Sequence, residues 1–287
     1  MSYSNFVPVV WAKNIEKAMQ ETHVFAKHCD REVEGALKEA GDTVKFTSMG
    51  TPTIHDVDYD NRNEDIQGPE TLDDASFTMQ VRKIADFNFM VGDIDAKIAN
   101  KKLLPHIKKE LTPAMTGKID RYIASFALRD EAVKLYAQAV KAIRGNTTSS
   151  AKNVLEIIDD AAQKLFENNV PERTPVFLTV SPRFYTMVKQ AYGDLDTDNS
   201  DIMRLGRVGR YNDVTLERSN NVAKSNDGTI DYMFCRTEKY MGYAEVVNNV
   251  EGYRPEAKHA DAVKGRVLYD AKILRPKQGI VVNVKYA

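Results

Sequence analysis

The sequence lacks an excess of charge of either sign. Its 40 lysines and arginines are balanced by 41 aspartates and glutamates, so the formal net charge is -1. A protein that grips nucleic acid usually carries a clear basic excess, because phosphate binding depends on lysine and arginine. The balance therefore excludes a strongly basic nucleic-acid-binding protein, and we expect nucleic acid to be touched only loosely.

Cysteines and long apolar runs are also scarce. Cys29 and Cys235 form neither a metal-binding spacing nor a disulfide framework, which predicts unpaired thiols in a reducing compartment. The first residues lack the basic segment and apolar run of a signal peptide. No apolar run approaches the roughly 20 residues that span a bilayer. We expect a protein that is made in a cytoplasm and used there, or in an assembly built there.

The signatures of common active sites are missing as well. None of the five histidines forms an HExxH motif or a close metal-binding pair. Ser181 lies in "TVSPRF" and not in the GxSxG motif of a hydrolase. The stretch "GRVGR" at 206–210 matches neither a Walker phosphate loop nor the dinucleotide-binding pattern. The sequence therefore predicts no catalytic, cofactor-binding or metal-binding residue, and it favours a protein that is not an enzyme.

Two clusters of aspartate are present, and both are predicted to be solvated loops. "HDVDYDNRNED" at 55–65 places three aspartates at alternate positions, as a calcium-binding EF-hand loop does. Such a loop also needs glycine at position 6 and glutamate at position 12, but counting from Asp56 these are Asn61 and Gln67. The second cluster, which begins at Asp194, also lacks the closing glutamate.

The N-terminal stretch predicts an extended arm and then a short amphipathic helix. The arm carries Phe6, Val9 and Trp11, which are large apolar residues on a segment too short to bury them in a core of its own. Apolar residues recur at helical spacing over 13–28, which predicts the helix. We expect the arm to lie against another surface.

An alternation of apolar and polar residues predicts a long hairpin. Val44 and Phe46 lie on one face of the first strand, and Phe77, Met79 and Val81 keep the same parity in the second. Roughly 25 residues separate the two runs, and a loop of that length usually has a function. Because a lone hairpin is marginal in water, we expect this one to gain stability from another surface.

A helical apolar stripe begins at Asp93 and predicts a spine-like helix. Pro105 and Pro113 interrupt the stripe, and Thr112 before the second proline is a suitable N-cap. The pattern therefore predicts a short helix, a break, and a long helix from about 113 towards 142.

The remainder predicts a mixed α+β domain. A helix capped by Ser149 or Ser150, a buried strand at "PVFLTVS" and a helix capped by Ser181 follow one another. A short strand is expected at "DVTLERS", and the C-terminal stretch is strand-like.

The order of these passages resembles the major capsid proteins of tailed bacteriophages that share the HK97 fold, and it is most similar to the P22-coat-like branch. The passages that carry the resemblance span almost the whole chain. They are "NFVPVVWAKNI", "GDTVKFTSMGTPTIHDVDYD" followed by "FNFMVGDIDAKIAN", "NNVPERTPVFLTVSPRFYTMVKQ", "GRVGRYNDVTLERSNNV" and "AVKGRVLYDAKILRP".

The resemblance implies an α+β, HK97-like capsid fold with peripheral and axial domains. Its parts would be the N-terminal arm and short helix (1–40), the extended hairpin loop or E-loop (41–92), a peripheral domain with the spine helix (93–147), a mainly axial domain (148–240) and C-terminal strands returning to the peripheral domain (241–287).

The resemblance also implies a function. Such subunits assemble into hexamers and pentamers of an icosahedral shell around double-stranded DNA, in the host cytoplasm, and they use no cofactor, catalytic residue or membrane. The chain has no room for a fused scaffolding segment, which implies a separate scaffolding protein beside a portal protein. DNA would be contacted non-specifically.

The acidic stretch is expected at the tip of the hairpin, where it would meet basic groups of a neighbouring subunit. The predicted contact residues are Phe6, Val9, Trp11, Asp56, Asp58, Asp60, Arg204, Arg207 and Arg210. Two other classes stay open: an encapsulin-like nanocompartment shell, which shares the fold but encloses protein cargo, and a soluble α/β enzyme.

Overall fold

The computed structural model describes residues 23–32, 43–49, 74–92, 103–129, 133–140, 152–171, 173–193, 209–257 and 259–286. The helices are α1 (Leu103–Ala124), α2 (Val154–Glu167) and α3 (Pro182–Gly193). The strands are β1 (Thr43–Met49), β2 (Asp74–Gln80), β3 (Lys83–Gly92), β4 (Val133–Val140), β5 (Lys152–Asn153), β6 (Val176–Val180), β7 (Arg210–Tyr211), β8 (Val214–Arg218), β9 (Ala223–Lys224), β10 (Ile230–Arg236), β11 (Met241–Tyr253), β12 (Ala260–Ile273) and β13 (Gly279–Tyr286). The predicted mixture of helices and strands is confirmed.

The larger sheet has eight strands within the described residues. Seven follow the order β5-β4-β13-β10-β6-β8-β7, and β9 pairs with β10. Strand β13 is parallel to β4 and β6 is parallel to β8, whereas β10 runs antiparallel to both β13 and β6. Helix α2 packs against β4, β10 and β13. The run "GIVVNV" is continuous rather than alternating because both faces of the central strand β13 are buried.

The smaller sheet is antiparallel and has the order β11-β12-β3. One face joins the main core through residues such as Phe87 and Val267, together with Ile119 and Ile123 of α1. Alternate residues of β12 belong to this core, whereas Leu268 is buried on the opposite face in a second cluster, so both faces of β12 are covered here.

Strands β1 and β2 form the predicted hairpin. Val44 pairs with Met79 and Phe46 pairs with Phe77, so these apolar residues share one face of the hairpin, as predicted. Met79 and Val81 are buried in a second cluster with Ala244, Leu268 and Leu274 of the smaller sheet; we call this contact the hairpin base. The hairpin base therefore rests on a surface of its own chain, and the segment 50–73 lies outside the described residues.

The predicted long helix ends earlier than expected. Helix α1 runs from Leu103 through Pro113 to Ala124, and Val133–Val140 is strand β4 instead of helix. Apolar and polar residues also alternate along β4, which is typical of a strand. Its parallel pairing with β13 makes this segment a strand rather than the end of the helix. Inside α1 the hydroxyl of Thr116 donates to the carbonyl of Thr112 (3.0 Å) beside the proline.

The cap of α2 also differs from the prediction, whereas the cap of α3 is confirmed. Asn153 caps α2, because its side chain accepts from the N–H of Leu155 (3.3 Å) and its own N–H donates to Glu156 (3.1 Å). This arrangement is a capping box, and it makes Asn153 the N-cap in place of the predicted Ser149 or Ser150. At α3 the N–H of Phe184 donates to Ser181 Oγ (3.3 Å), and the strand expected at "DVTLERS" is β8.

Replacing Gly279 with alanine is expected to destabilise the fold. An added Cβ would lie 2.3 Å from the ring of Tyr240, which is fully buried and has no room to move. Overpacking of this kind costs about 1–3 kcal/mol. Urea unfolding should show the loss, whereas Gly209→Ala, where no atom lies within 4 Å, should leave the midpoint almost unchanged. Equal midpoints for the two variants would contradict the packing argument.

Candidate functional site

The segment 23–32, which we call the junction segment, connects the N-terminal arm region to both sheets. Its backbone pairs with β11, because the N–H of Asp30 donates to Met241 (2.9 Å) and the N–H of Tyr243 donates to Asp30 (2.9 Å). A short 3-10 turn, Ala26–His28, lies between this pairing and His23. The chain is thus fixed within the stretch predicted to form the arm and short helix (1–40), and the described end of the predicted helix is a 3-10 turn instead.

His23 lies between two buried carboxylates. Its Nδ1 is 3.2 Å from Asp120 Oδ1 of α1, and its Nε2 is 3.2 Å from Glu245 Oε2 of β11. The three side chains, which we call the charge cluster, are at most 3% exposed. They tie the junction segment to the helix on one side and to the smaller sheet on the other.

Both carboxylates of the charge cluster have further donors. Asp120 accepts from the backbone N–H groups of Val24 (3.1 Å) and Ala26 (3.4 Å). Glu245 accepts from Arg31 (3.3 Å) and from the hydroxyl of Tyr243 (2.6 Å). Buried charges are tolerated when they are paired and hydrogen-bonded in this way.

The pKa values follow from this arrangement. Burial by itself lowers the pKa of His23, but hydrogen bonds to Asp120 and Glu245 and their charges outweigh burial and raise the pKa from 6.5 to about 9. For Glu245, burial by itself raises the pKa. Hydrogen bonding and charge from His23, together with the charge of Arg31, outweigh burial and keep the pKa of Glu245 below its ordinary value. His23 is therefore cationic at neutral pH.

The junction segment also contacts the larger sheet. The imidazole of His28 stacks on Phe177 of β6 at a centroid distance of 3.7 Å. Its Nε2 lies 2.8 Å from Glu217 of β8, and the more exposed Lys27 approaches the same carboxylate at 3.6 Å. One ten-residue segment thus holds helix α1 and both sheets in a fixed relation.

Arg236 of β10 adds a buried cation beneath this segment. It is fully buried, it donates to the backbone carbonyl of Phe25, and its guanidinium lies 5.7 Å from the ring centroid of Phe234. Its NH1 also donates to Cys29 Sγ (3.5 Å). Burial raises the pKa of Cys29, and it raises that of Cys235 to about 12. Both thiols are unpaired, as predicted, and burial makes them unreactive.

The hairpin base is anchored by Asp270. The hydroxyl of Tyr122 in α1 donates to this carboxylate (2.6 Å), and so does the backbone N–H of Arg82 (3.1 Å). Nearby, the ammonium of Lys272 donates to the carbonyl of Thr78 in β2 (2.9 Å). The orientation of the hairpin is thereby coupled to helix α1 and to β12.

Of the predicted contact residues, the structure places only Arg210 within the described ranges. It is exposed in β7 and donates to the carbonyl of Asn212 (2.9 Å) and to Asp213 (3.4 Å) of its own turn. The others lie outside the described residues: Phe6, Val9, Trp11, Asp56, Asp58, Asp60, Arg204 and Arg207. Arg210 already donates to an acidic partner, which makes it a weaker donor for a neighbour's acidic loop.

Sequence reasoning missed the charge cluster. The sequence presents His23 only as a histidine without a metal-binding spacing, and its partners Asp120 and Glu245 are 97 and 222 residues away along the chain. A histidine pattern cannot reveal such partners, because only folding brings them together. Within the described ranges, no group of histidine, cysteine, aspartate and glutamate side chains, the charge cluster included, is arranged so that it could hold a metal ion.

Ser181 belongs to a row of polar groups that superficially resembles a catalytic relay. Its Oγ lies 2.7 Å from the hydroxyl of Tyr286, which donates to Asp231 (2.6 Å). Ser181 is 1% exposed, however, and its oxygen caps α3 through the N–H of Phe184. Burial, followed by the bond to Asp231, raises the pKa of Tyr286, which is the wrong direction for a general base. The row explains local structure rather than catalysis.

Of the described helices, none combines the length and the apolar character needed to cross a membrane.

Comparisons of sequence find no match to a protein-family model or to a curated protein. Comparison of structure gives clear similarities. A protein of Mycobacterium phage Che8 aligns with a TM-score of 0.67 and 19% identity over 91% of both chains. The capsid of Cyanophage P-SCSP1u gives a TM-score of 0.67 and 12% identity over 93% of this chain and 89% of that one. The chain has a phage capsid fold.

The capsid fold also extends to a virus-like particle from Pyrococcus furiosus. Its TM-score is 0.54 at 12% identity, over 94% of this chain and 96% of that one. The predicted capsid fold is confirmed, whereas the P22-coat-like branch and the five-part division stay predictions. Within this capsid fold, the junction segment and Asp270 fix the hairpin base and the two sheets as one unit.

Proposed function

We propose that this protein is the major capsid protein of a tailed bacteriophage, of the P22-coat-like branch. It assembles into hexamers and pentamers of an icosahedral shell around double-stranded DNA, and it is not an enzyme. The observation that carries the proposal is the match to phage capsid structures over nearly the whole chain. A subunit held rigid by the charge cluster suits a shell, because repeated contacts require the same geometry in every copy.

The hairpin and the arm are the assembly elements in this proposal. The hairpin base is fixed on its own smaller sheet. In the proposed shell, the segment beyond the base contacts a neighbouring subunit. The apolar residues of the arm, Phe6, Val9 and Trp11, cover part of another subunit. Burying apolar side chains of this size contributes about 1.5–3 kcal/mol each.

The other partners follow from the same proposal. A separate scaffolding protein guides assembly, a portal protein occupies one vertex, and assembly takes place in the host cytoplasm before the protein resides in the virion capsid. The near-neutral charge lets DNA be packed and released, because a strongly basic shell would bind the genome tightly.

Electron microscopy of the purified protein, alone and after co-expression with its scaffolding protein, tests the proposal. Closed shells that hold DNA or scaffold are expected. The second candidate is an encapsulin-like nanocompartment, a shell with the same fold that encloses protein cargo, and a virus-like particle from Pyrococcus furiosus shares the fold of this chain. Small shells filled with protein cargo would establish that candidate, and the absence of any shell would favour the soluble α/β enzyme.

Replacing Asp56, Asp58 and Asp60 with asparagine is expected to lower assembly fidelity, most visibly at low salt. The acidic tip meets basic groups of a neighbour, and exposed ion pairs contribute only about 0–1 kcal/mol each, so they set register more than strength. The stability of the free subunit should change by less than about 0.5 kcal/mol. Particle counts by electron microscopy and urea unfolding measure the two quantities.

The matched control changes Asp194, Asp196 and Asp198 to asparagine, which removes the same charge from the second acidic cluster. Hydrogen exchange gives a direct check on the tip. Amides 55–65 should gain protection when subunits assemble. If they are equally protected in the free subunit and the shell, the tip belongs to the fold of its own chain and this account of it is wrong.

A further inference from the structure

The larger sheet presents the carboxyl ends of four strands at one edge. Strands β4 and β13 are parallel, β6 and β8 are parallel, and β10 is antiparallel to both β13 and β6. All four strands therefore end on the same side, and β9 and the start of β10 lie there too. The junction segment contacts the sheet nearby, through Glu217 of β8, whereas the hairpin base lies on the smaller sheet.

Four exposed cations occupy this side, and we call them the cationic edge: Arg183, Arg218, Lys224 and Lys285. Arg218 ends β8 opposite Val180, and Lys224 lies opposite Asp231. Lys285 lies opposite Ile230 near the end of β13. With strands about 4.8 Å apart, the set extends over roughly 15 Å from β8 to β13.

Within the described ranges, the four cations have no ion pair. Other exposed cations do pair, such as Lys164 with Glu167 and Lys264 with Glu251. The acids nearest the edge are engaged elsewhere: Asp231 accepts from Tyr286 (2.6 Å), and Glu217 faces His28. Among the described residues at this edge, the other exposed carboxylate is Asp227, in the turn before β10. The edge is therefore a positive patch on a nearly neutral protein.

Aromatic rings support both arginines. The guanidinium of Arg183 lies 4.2 Å from the ring centroid of Tyr286, and that of Arg218 lies 5.7 Å from Tyr185. A cation–π contact holds a guanidinium in place without neutralising its charge. Both arginines are thus positioned while their charge stays available to a ligand.

We propose that the cationic edge binds the phosphate backbone of double-stranded DNA without sequence preference. The inference rests on the proposed function, because it identifies the surface of the subunit that meets the packaged genome. DNA carries one charge per about 1.7 Å of helix axis, so a patch roughly 15 Å wide meets several phosphates.

An acidic protein segment is the other polyanion to consider. Exposed ion pairs contribute little by themselves, so such a segment would need apolar contacts as well. The exposed large apolar residues in the described part of the chain are Ile84, Met90, Leu128 and Tyr253, and they lie on the smaller sheet and after α1. DNA needs no apolar contact, because the release of its counterions drives binding to scattered cations.

Fluorescence anisotropy with a labelled duplex of roughly 30 base pairs, at about 50 to 200 mM salt, tests the proposal on the purified subunit. The test variant combines Arg183→Gln, Arg218→Gln, Lys224→Gln and Lys285→Gln. Loss of four phosphate contacts should make the slope of log K against log salt shallower by about 3–4 and weaken binding most at low salt.

The control variant combines Arg121→Gln, Arg173→Gln, Lys239→Gln and Lys277→Gln, which are exposed cations elsewhere with the same total charge. It should keep the wild-type slope. Equal slopes for the two variants overturn the proposal. The proposal is also overturned if the subunit binds a peptide spanning 55–65 but does not bind the duplex. The cationic edge is then a contact between subunits. Shell formation is scored separately by microscopy, so a failure of the proposed function leaves the DNA measurement interpretable.

Discussion

Replacing His23 with alanine is expected to lower the free energy of unfolding by roughly 3–5 kcal/mol. The change removes the cation from between Asp120 and Glu245, which are 2% and 1% exposed and stay behind as two buried negative charges. Breaking a buried charge pair costs this much because the remaining charge has lost its partner and has no access to water. Hydrogen bonds from Arg31 to Glu245 and from the backbone to Asp120 reduce this loss of stability, but they do not replace the charge of the histidine.

Urea unfolding followed by far-UV circular dichroism measures the loss. His259 is exposed, so His259→Ala is the matched control and should change stability by less than about 0.5 kcal/mol. Tyr243→Phe removes only one hydroxyl bond to Glu245 and should cost about 1–3 kcal/mol. A His23 variant as stable as the His259 variant would mean that the charge cluster contributes nothing to the fold.

The stability difference between wild type and His23→Ala is also expected to depend on pH. The pKa of His23 is raised from 6.5 to about 9 in the folded protein, so its contribution is fully present below about pH 6.5 and is lost as the pH rises through about 9. The pKa of Glu245 is lowered, so its contribution is lost as the pH falls through that lower value. The stability difference between wild type and His23→Ala should therefore shrink by roughly 3 kcal/mol between pH 6.5 and 9.

Deleting residues 1–12 is expected to abolish closed shells while the subunit stays folded. Phe6, Val9 and Trp11 carry the apolar surface of the predicted arm, and in the proposed shell they lie against a neighbour. The junction segment keeps its own anchors to β11 and to the larger sheet, so the fold does not depend on the arm. The truncation therefore separates assembly from folding.

Two measurements check the truncation. Its urea midpoint should match that of the full chain, and electron microscopy should show no regular particles. A full-length variant with Phe6, Val9 and Trp11 changed to alanine tests whether the apolar side chains, rather than the length of the arm, are responsible. If the truncated protein still builds normal shells, the arm is not an assembly element.

Local patterns determined much of this protein. The alternation around Val44 and Phe46 predicted the hairpin and the face that its apolar residues share, because side chains alternate between the two faces of a strand. The pair Ser181 and Pro182 predicted the start of α3, because a serine oxygen caps a helix and a proline suits its first turn. The order of such passages along the chain was enough to indicate the capsid fold.

Tertiary structure decided what those patterns left ambiguous. The segment Val133–Val140 follows a helical stripe yet also alternates, and only its pairing with β13 makes it a strand. The charge cluster depended on the fold entirely, because Asp120 and Glu245 reach His23 across 97 and 222 residues. A sequence fixes local propensity over a few residues, whereas the pairing of buried charges and distant strands is set by which surfaces meet when the chain packs.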